Sequence, residues 1–262
     1  MNLELAQRIT LTSYGNAYLN GHSISLDLNH STTNSCKKID FIEWIANGET
    51  SKEILLANNP NEWFEFLRNT AVKNLKLHFP PTDGDRMSAS FIGGERWVIE
   101  AFKGPLSDIW DVRWKIKPHQ KEERIWEVTY GLTSKDYNFA KIKYPQLEYW
   151  HKELINGITK IKKFAEKQSL TKFINIFQNA LDCLTSKDPL SLIVHNDIVP
   201  QEMYNLMAKQ IFASCAKAWI VAMVDWNQLR FKGKTHKEYN KLSDDLYLKI
   251  CRAIMVATNS FK

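Results

Sequence analysis

The segment DIWDVRWKIK at 108–117 puts Trp110, Val112, Trp114 and Ile116 on alternate positions, with Asp111, Arg113, Lys115 and Lys117 between them. Strict alternation is the period of a strand with one buried and one wet face. RIWEVTYGL (124–132) continues the pattern across the polar loop PHQKEE, and NLKLHF (74–79) alternates in the same way. RMSASFI and ERWVIEAF flank Gly93-Gly94, a two-residue hairpin turn. Successive strands with short turns predict an antiparallel meander, because parallel neighbours need long crossovers. Its apolar side needs a cover, which the helical segments later in the chain can supply.

The first quarter is mixed. ITLTSY (9–14) and HSISLDL (22–28) alternate around Asn20-Gly21, a hairpin turn signal, although residues 1–14 also suit a short helix. IDFIEWIAN (39–47) has helical spacing, with Gly48 as its C-cap. Asn59 and Pro60 form a cap and first-position proline for a helix through 61–72.

From Pro145 the period is helical. One stripe runs through Leu147, Trp150, Leu154, Ile158, Ile161 and Ala165. Ser169 is placed to cap the next helix, whose stripe is Leu170, Phe173, Ile174, Phe177, Leu181 and Leu184. Pro200 can open a third, carrying Met203, Leu206, Met207, Ile211, Cys215 and Trp219. Ser243 can cap a last one, with Leu246, Ile250, Cys251 and Ile254. The predicted architecture is α+β. An antiparallel sheet, largely 74–132, has helices before it and a helical C-terminal half packed against it. No linker divides residues 1–262, so one unit is expected, with a sheet-rich 1–135 and a helical 136–262 as the alternative division.

Composition narrows the function classes. The chain has 262 residues, is 44% apolar and carries nine Trp, enough for a sizeable core. Charge is uneven: residues 1–131 hold 15 Lys/Arg against 17 Asp/Glu (−2), and 132–262 hold 20 against 12 (+8). A basic half suits an anionic partner, and equally suits solvated helix surfaces. Cys36, Cys183, Cys215 and Cys251 form no C-x-x-C pair, and the last three fall on apolar helical stripes. Reduced core cysteines, no signal-peptide pattern at the N-terminus and no apolar run near the ~18 residues that cross a bilayer predict a cytoplasmic protein without membrane contact.

SLIVHNDIVPQ (191–201) is the segment with most chemical character. An apolar run precedes His195 and Asp197, and Pro200 follows three residues later. This resembles the H-x-D catalytic loop of aminoglycoside- and choline-type phosphotransferases, and MVDW (223–226) resembles that family's downstream metal-binding aspartate, at Asp225. The resemblance spans about a dozen residues and implies a carboxylate that orients an acceptor hydroxyl and another that holds magnesium. Glu202 stands where the family has a metal-binding Asn, and no Gly-rich loop precedes the motif. Taken alone, Asn196 or Asp197 is also a helix cap.

The seven histidines (22, 30, 78, 119, 151, 195, 236) form neither H-x-x-x-H nor H-E-x-x-H, so no metal site and no cofactor follow from spacing. RFKGKTHKEYNK (230–241) is the densest basic stretch and reads as a loop. Arg230, Lys232 and Lys234 with Phe231 could hold a nucleic-acid backbone and stack a base. The leading expectation is a non-catalytic binding protein of accessory or toxin-neutralising kind with a protein partner. Its candidate contacts are Trp110, Trp114, Arg113 and Lys115, with Arg230, Lys232 and Lys234. Phosphotransfer through His195, Asp197 and Asp225 is the enzymatic alternative, and nucleic-acid binding is a further one.

Overall fold

A computed structural model describes residues 1–47, 50–79, 97–116, 123–138 and 145–262. The expected C-cap Gly48, the strand RMSASFI, the Gly93-Gly94 turn, Lys117 and residues 118–122 of the PHQKEE loop lie outside these residues. The described chain is α+β, with a six-stranded open sheet and a helical C-terminal half. Its elements are α1 (Leu3–Leu19), β1 (Cys36–Asn47), β2 (Thr50–Ala57), α2 (Pro60–Asn69), β3 (Asn74–His78), β4 (Val98–Phe102), β5 (Ser107–Ile116) and β6 (Trp126–Tyr137), then α3 (Leu147–Lys167), α4 (Thr171–Cys183), α5 (Leu206–Lys217), α6 (Val224–Asn227) and α7 (Gly233–Thr258).

The sheet is mixed, which corrects the expected antiparallel meander. Its order is β2-β1-β6-β5-β4-β3. The meander β3 to β6 is antiparallel, as is the β1–β2 hairpin, but β6 lies parallel to β1, with Phe41 opposite Tyr130. Residues 39–47 are therefore strand and not helix. β1 is interior, and Phe41 and Ile42 are both buried beside a register shift. Burial of neighbouring positions breaks the two-residue period and leaves a spacing that also fits a helix.

The predicted N-terminal hairpin is also replaced, by α1. Asn2 caps its start, its side chain accepting from Leu5 N–H. Asn20-Gly21 is its stop. Gly21 takes φ 84°, its N–H donates to Tyr18 C=O, and His22 N–H donates to Ala17 C=O. That 6→1 and 5→2 pair is a Schellman C-cap, which needs the same left-handed glycine as a hairpin turn.

Helices α1 and α2 roof the sheet, and α7 reaches it at β3. The cover therefore comes mainly from α1 and α2, which precede the β3 to β6 meander, and not from the helices after it. Trp63 of α2 stacks on Phe41 at 4.5 Å and meets Trp110 edge-on at 5.4 Å. Gly15 brings α1 close to the sheet: a Cβ there would lie 2.5 Å from Leu75 Cδ1.

In the helical half, α3 packs on α4 and α7, and α5 packs on α4 and α7. Trp226 lies among Phe164, Phe173, Phe177 and Tyr239. Three predicted boundaries move. Ser169 precedes α4 with φ 56°, Asn205 and not Pro200 caps α5, and Ser243 is buried inside α7, accepting from Trp226 Nε1–H at 3.0 Å. One cluster of buried residues runs through both halves, and all four cysteines are buried free thiols. Among the described residues no helix is long and apolar enough to cross a membrane.

The β3 edge is closed by two asparagines. Asn16 of α1 donates to Leu75 C=O at 2.9 Å and accepts from Leu75 N–H at 2.6 Å. Asn259, just after α7, makes the same pair with Leu77 at 2.9 and 2.8 Å. A side-chain amide thus replaces a neighbouring strand at each point. Asn16→Ala would leave a buried N–H and C=O unpaired, at about 1–3 kcal/mol each. Urea denaturation is expected to show a loss of about 2–6 kcal/mol for Asn16→Ala, and a smaller loss for Asn259→Ala, whose amide is half-buried. Wild-type stability in Asn16→Ala contradicts this role.

Candidate functional site

Two irregular segments, 27–35 and 193–200, meet against one side of α1. Each is fixed from within and from the helix. In the first, Asn29 N–H donates to Asp27 Oδ1, Thr33 Oγ1 donates to Asp27 C=O, and Gln7 Nε2 of α1 donates to Thr32 C=O. In the second, Ile198 and Val199 are buried, Thr10 Oγ1 donates to Ile198 C=O, and Tyr14 OH donates to Asp197 C=O, both at 3.0 Å.

Asp197 joins the two segments. Ser31 Oγ donates to Asp197 Oδ1, and Ser31 N–H donates to Oδ2 at 3.1 Å. His30 Nδ1 accepts from Thr32 N–H, so Nε2 carries the proton. That Nε2 lies 3.0 Å from Asp197 C=O and 3.4 Å from Oδ2. Burial alone would raise the Asp197 carboxyl pKa. The Ser31 hydroxyl and amide, with His30 beside them, overcome burial and hold it below its usual value. Tyr14 is pushed up to about 12 by burial and by the Asp197 charge.

His195 shares Ser31. Its Nδ1 is 2.9 Å from Ser31 Oγ. The single hydroxyl hydrogen goes to Asp197, so Nδ1 must donate and Nε2 is left as a bare acceptor. Burial first, then the Met1 ammonium, lower the ring's pKa from its usual 6.5 against the pull of Asp197. Serine here bridges histidine and carboxylate. In an acyl-transfer triad the histidine is the bridge, so this network orients His195 rather than activating Ser31.

The structure brings His195 and Asp197 together and keeps Asp225 apart from them in contacts. Asp225 lies in α6 and pairs with Lys172 of α4. The run before His195 is a 3-10 turn at Leu190–Leu192 followed by loop, where the phosphotransferase resemblance implies a strand. Among the described residues, no group of three or more His, Cys, Asp or Glu is placed to hold a metal ion.

The other candidates are scattered. Trp110 is fully buried, and so belongs to the core and not to a contact surface. Trp114 is half-buried and meets Trp126 edge-on at 5.4 Å. Arg113 pairs with Glu53 at 3.0 Å and lies over Trp44, while exposed Lys115 stands opposite Glu127 in register. The 230–241 stretch is mostly the start of α7, not a loop. Arg230 Nη1 donates to the carbonyls of Asn227 and Leu229, and Phe231 packs on Phe164 and Tyr239. Lys232 and Lys234 are exposed. Ser31, His30 and Tyr14 carried no motif. Ser31 and Asp197 are 166 positions apart, so no spacing rule could pair them.

No family model, curated protein or solved structure matches this chain.

The lowered His195 pKa makes a stability prediction. Between the usual 6.5 and the lower folded value, the unfolded chain binds more protons, so stability falls as pH falls. Asp197 acts only below its usual 3.8, outside that window. Denaturation midpoints from pH 7.5 to about 5 should therefore decline more steeply in wild type than in His195→Gln. Parallel declines contradict the assignment.

Proposed function

We propose that this chain is a non-catalytic interaction protein of the cytoplasm that engages a protein partner through one end of its sheet. One observation carries the reading: the apolar side of β5 outruns its helical roof. Burial along the strand falls from complete at Ser107–Trp110, through half at Asp111–Trp114, to exposure at Lys115 and Ile116. Ile116 is 53% exposed, on the same side as buried Trp110. The Trp114–Trp126 pair beside it is half-buried. A rigid aromatic pair with an exposed aliphatic neighbour is the usual make-up of a protein-binding anchor. The cytoplasmic location rests on the four buried free thiols.

The two alternatives have less support. Both Asp197 oxygens already accept hydrogen bonds, which suits a latch better than a base waiting for an acceptor hydroxyl. Arg230 and Phe231 are committed to internal contacts, which leaves Lys232 and Lys234 as free-standing charges.

The test is chemical cross-linking in the cell of origin, comparing wild type with Ile116→Glu. Because Ile116 is already exposed, the substitution should leave the melting temperature within about 2 °C. A stoichiometric protein partner is expected for wild type, with recovery at least about tenfold lower for Ile116→Glu, a loss of about 1.4 kcal/mol or more. Recovery of no such partner, or of the same one equally by both forms, contradicts the proposal.

A further inference from the structure

The C-terminal turn of α5 divides two adjacent cavities. The first, of about 280 Å3, lies against Ile193, Val194, His195 and Ile198. The second, of about 290 Å3, lies against Ile176, Trp219 and Met223. Met1, Ala216 and Lys217 line both, so Lys217 stands on the wall between them. Apart from that wall, the first cavity is aliphatic except for His195.

Lys217 is the feature of this wall that points most directly to a ligand, with Trp219 and His195 beside it. Lys217 is half-buried and forms no ion pair with a carboxylate among the described residues. A cation withdrawn from water without a counter-charge is unfavourable, and a bound anion removes that cost. Trp219 is 2% exposed, and its buried indole N–H meets no acceptor. The indoles of Trp63, Trp97, Trp110, Trp114 and Trp150 are unpaired in the same way, so this donor can serve a ligand but does not by itself call for one. His195, held by Ser31 through Nδ1, is kept uncharged near neutral pH and adds no further positive charge to those of Lys217 and the Met1 ammonium. The Met1 ammonium donates to Ala216 C=O at 3.0 Å.

Lys217, next to the Met1 ammonium, favours an anionic head, and the aliphatic walls of the first cavity favour an apolar body. We propose that this double cavity binds a small aliphatic carboxylate, with its head at Lys217 and its chain against Ile193, Val194 and Ile198. The site stands apart from the sheet end and does not rest on a protein partner binding there. A pocket with mainly apolar walls and one or two fixed polar groups is the usual form of a small-molecule site. Val194, 86% exposed, marks its mouth.

Calorimetric titration of the full chain tests this with three probes: sodium octanoate, octan-1-ol and sodium acetate. Octanoate supplies head and body, octanol the body alone, and acetate the head alone. Octanoate is expected to bind saturably, one per chain, at least about tenfold more tightly than either of the others. Lys217→Met is expected to weaken octanoate at least about tenfold while leaving octanol unchanged. Lys217 closes a helix, so that variant could fail to fold. Val194→Asp, at an exposed position, is the second variant, and its like charge at the mouth is expected to weaken octanoate but not octanol. The proposal is overturned by absence of saturable octanoate binding, by equal affinity for octanoate and octanol, or by octanoate binding that a folded Lys217→Met or Val194→Asp leaves untouched.

Discussion

The fold depends on a helix that is buried on almost every side. Within α1, every residue from Glu4 to Ser13 is buried, and so are Gly15, Asn16 and Ala17. A helix in that position must pair each polar side chain it carries, since an unpaired buried amide or hydroxyl costs several kcal/mol at most and about 1–3 in typical proteins. It does so by reaching in different directions. Gln7 bonds Thr32 and accepts from Tyr130 of the sheet, Thr10 bonds Ile198, Ser13 accepts from Tyr204, and Asn16 clasps Leu75. The sheet, the 27–35 segment, the 193–200 segment and the helical half are thereby held to one rod. Arg8 is the exception. It is 2% exposed, with Glu4 at 3.7 Å and Asp111 at 3.9 Å, and its Nη1 meets no acceptor.

The same burial explains what the sequence hides. Amphipathic elements were legible: α2 from Asn59 and Pro60, α3 and α4 from their apolar stripes, and β3, β5 and β6 from alternation. A helix surrounded by protein has no polar face to mark its period. In ITLTSY the hydroxyls of Thr10, Thr12 and Ser13 are all buried and bonded, yet they read as the wet side of a strand. The interior strand β1 failed for the converse reason. Both faces are partly covered, so its apolar residues no longer alternate. The parallel β1–β6 pairing joins residues about ninety positions apart, a distance at which local pattern carries no information.

The polar cluster was legible by half. His195 and Asp197 stand out because they lie two apart beside a proline, but their chemistry is set by Ser31 and His30, which reach them only through the fold. Asp197 then reads as the latch between two loops, and His195 as a neutral ring held at the wall of a cavity. The charged residues between the tryptophans of β5 tell a similar story. Arg113 is matched by Glu53 across the sheet, whereas Ile116, on the apolar side at the end of the strand, is unroofed. Alternation predicts which side a residue faces, whereas the reach of the neighbouring helices decides whether that side is covered.

Native-state hydrogen exchange of the backbone amides bears most directly on the central position of α1. Residues joined to every other part of a fold open only when the whole fold opens. The amides of Ile9 to Asn16 should therefore exchange among the slowest in the chain, at the rate set by global unfolding, and at least as slowly as those of β6 and α7. Exchange of that segment orders of magnitude faster than β6, with the sheet still protected, would show that α1 is a peripheral helix and that the molecule is held together elsewhere.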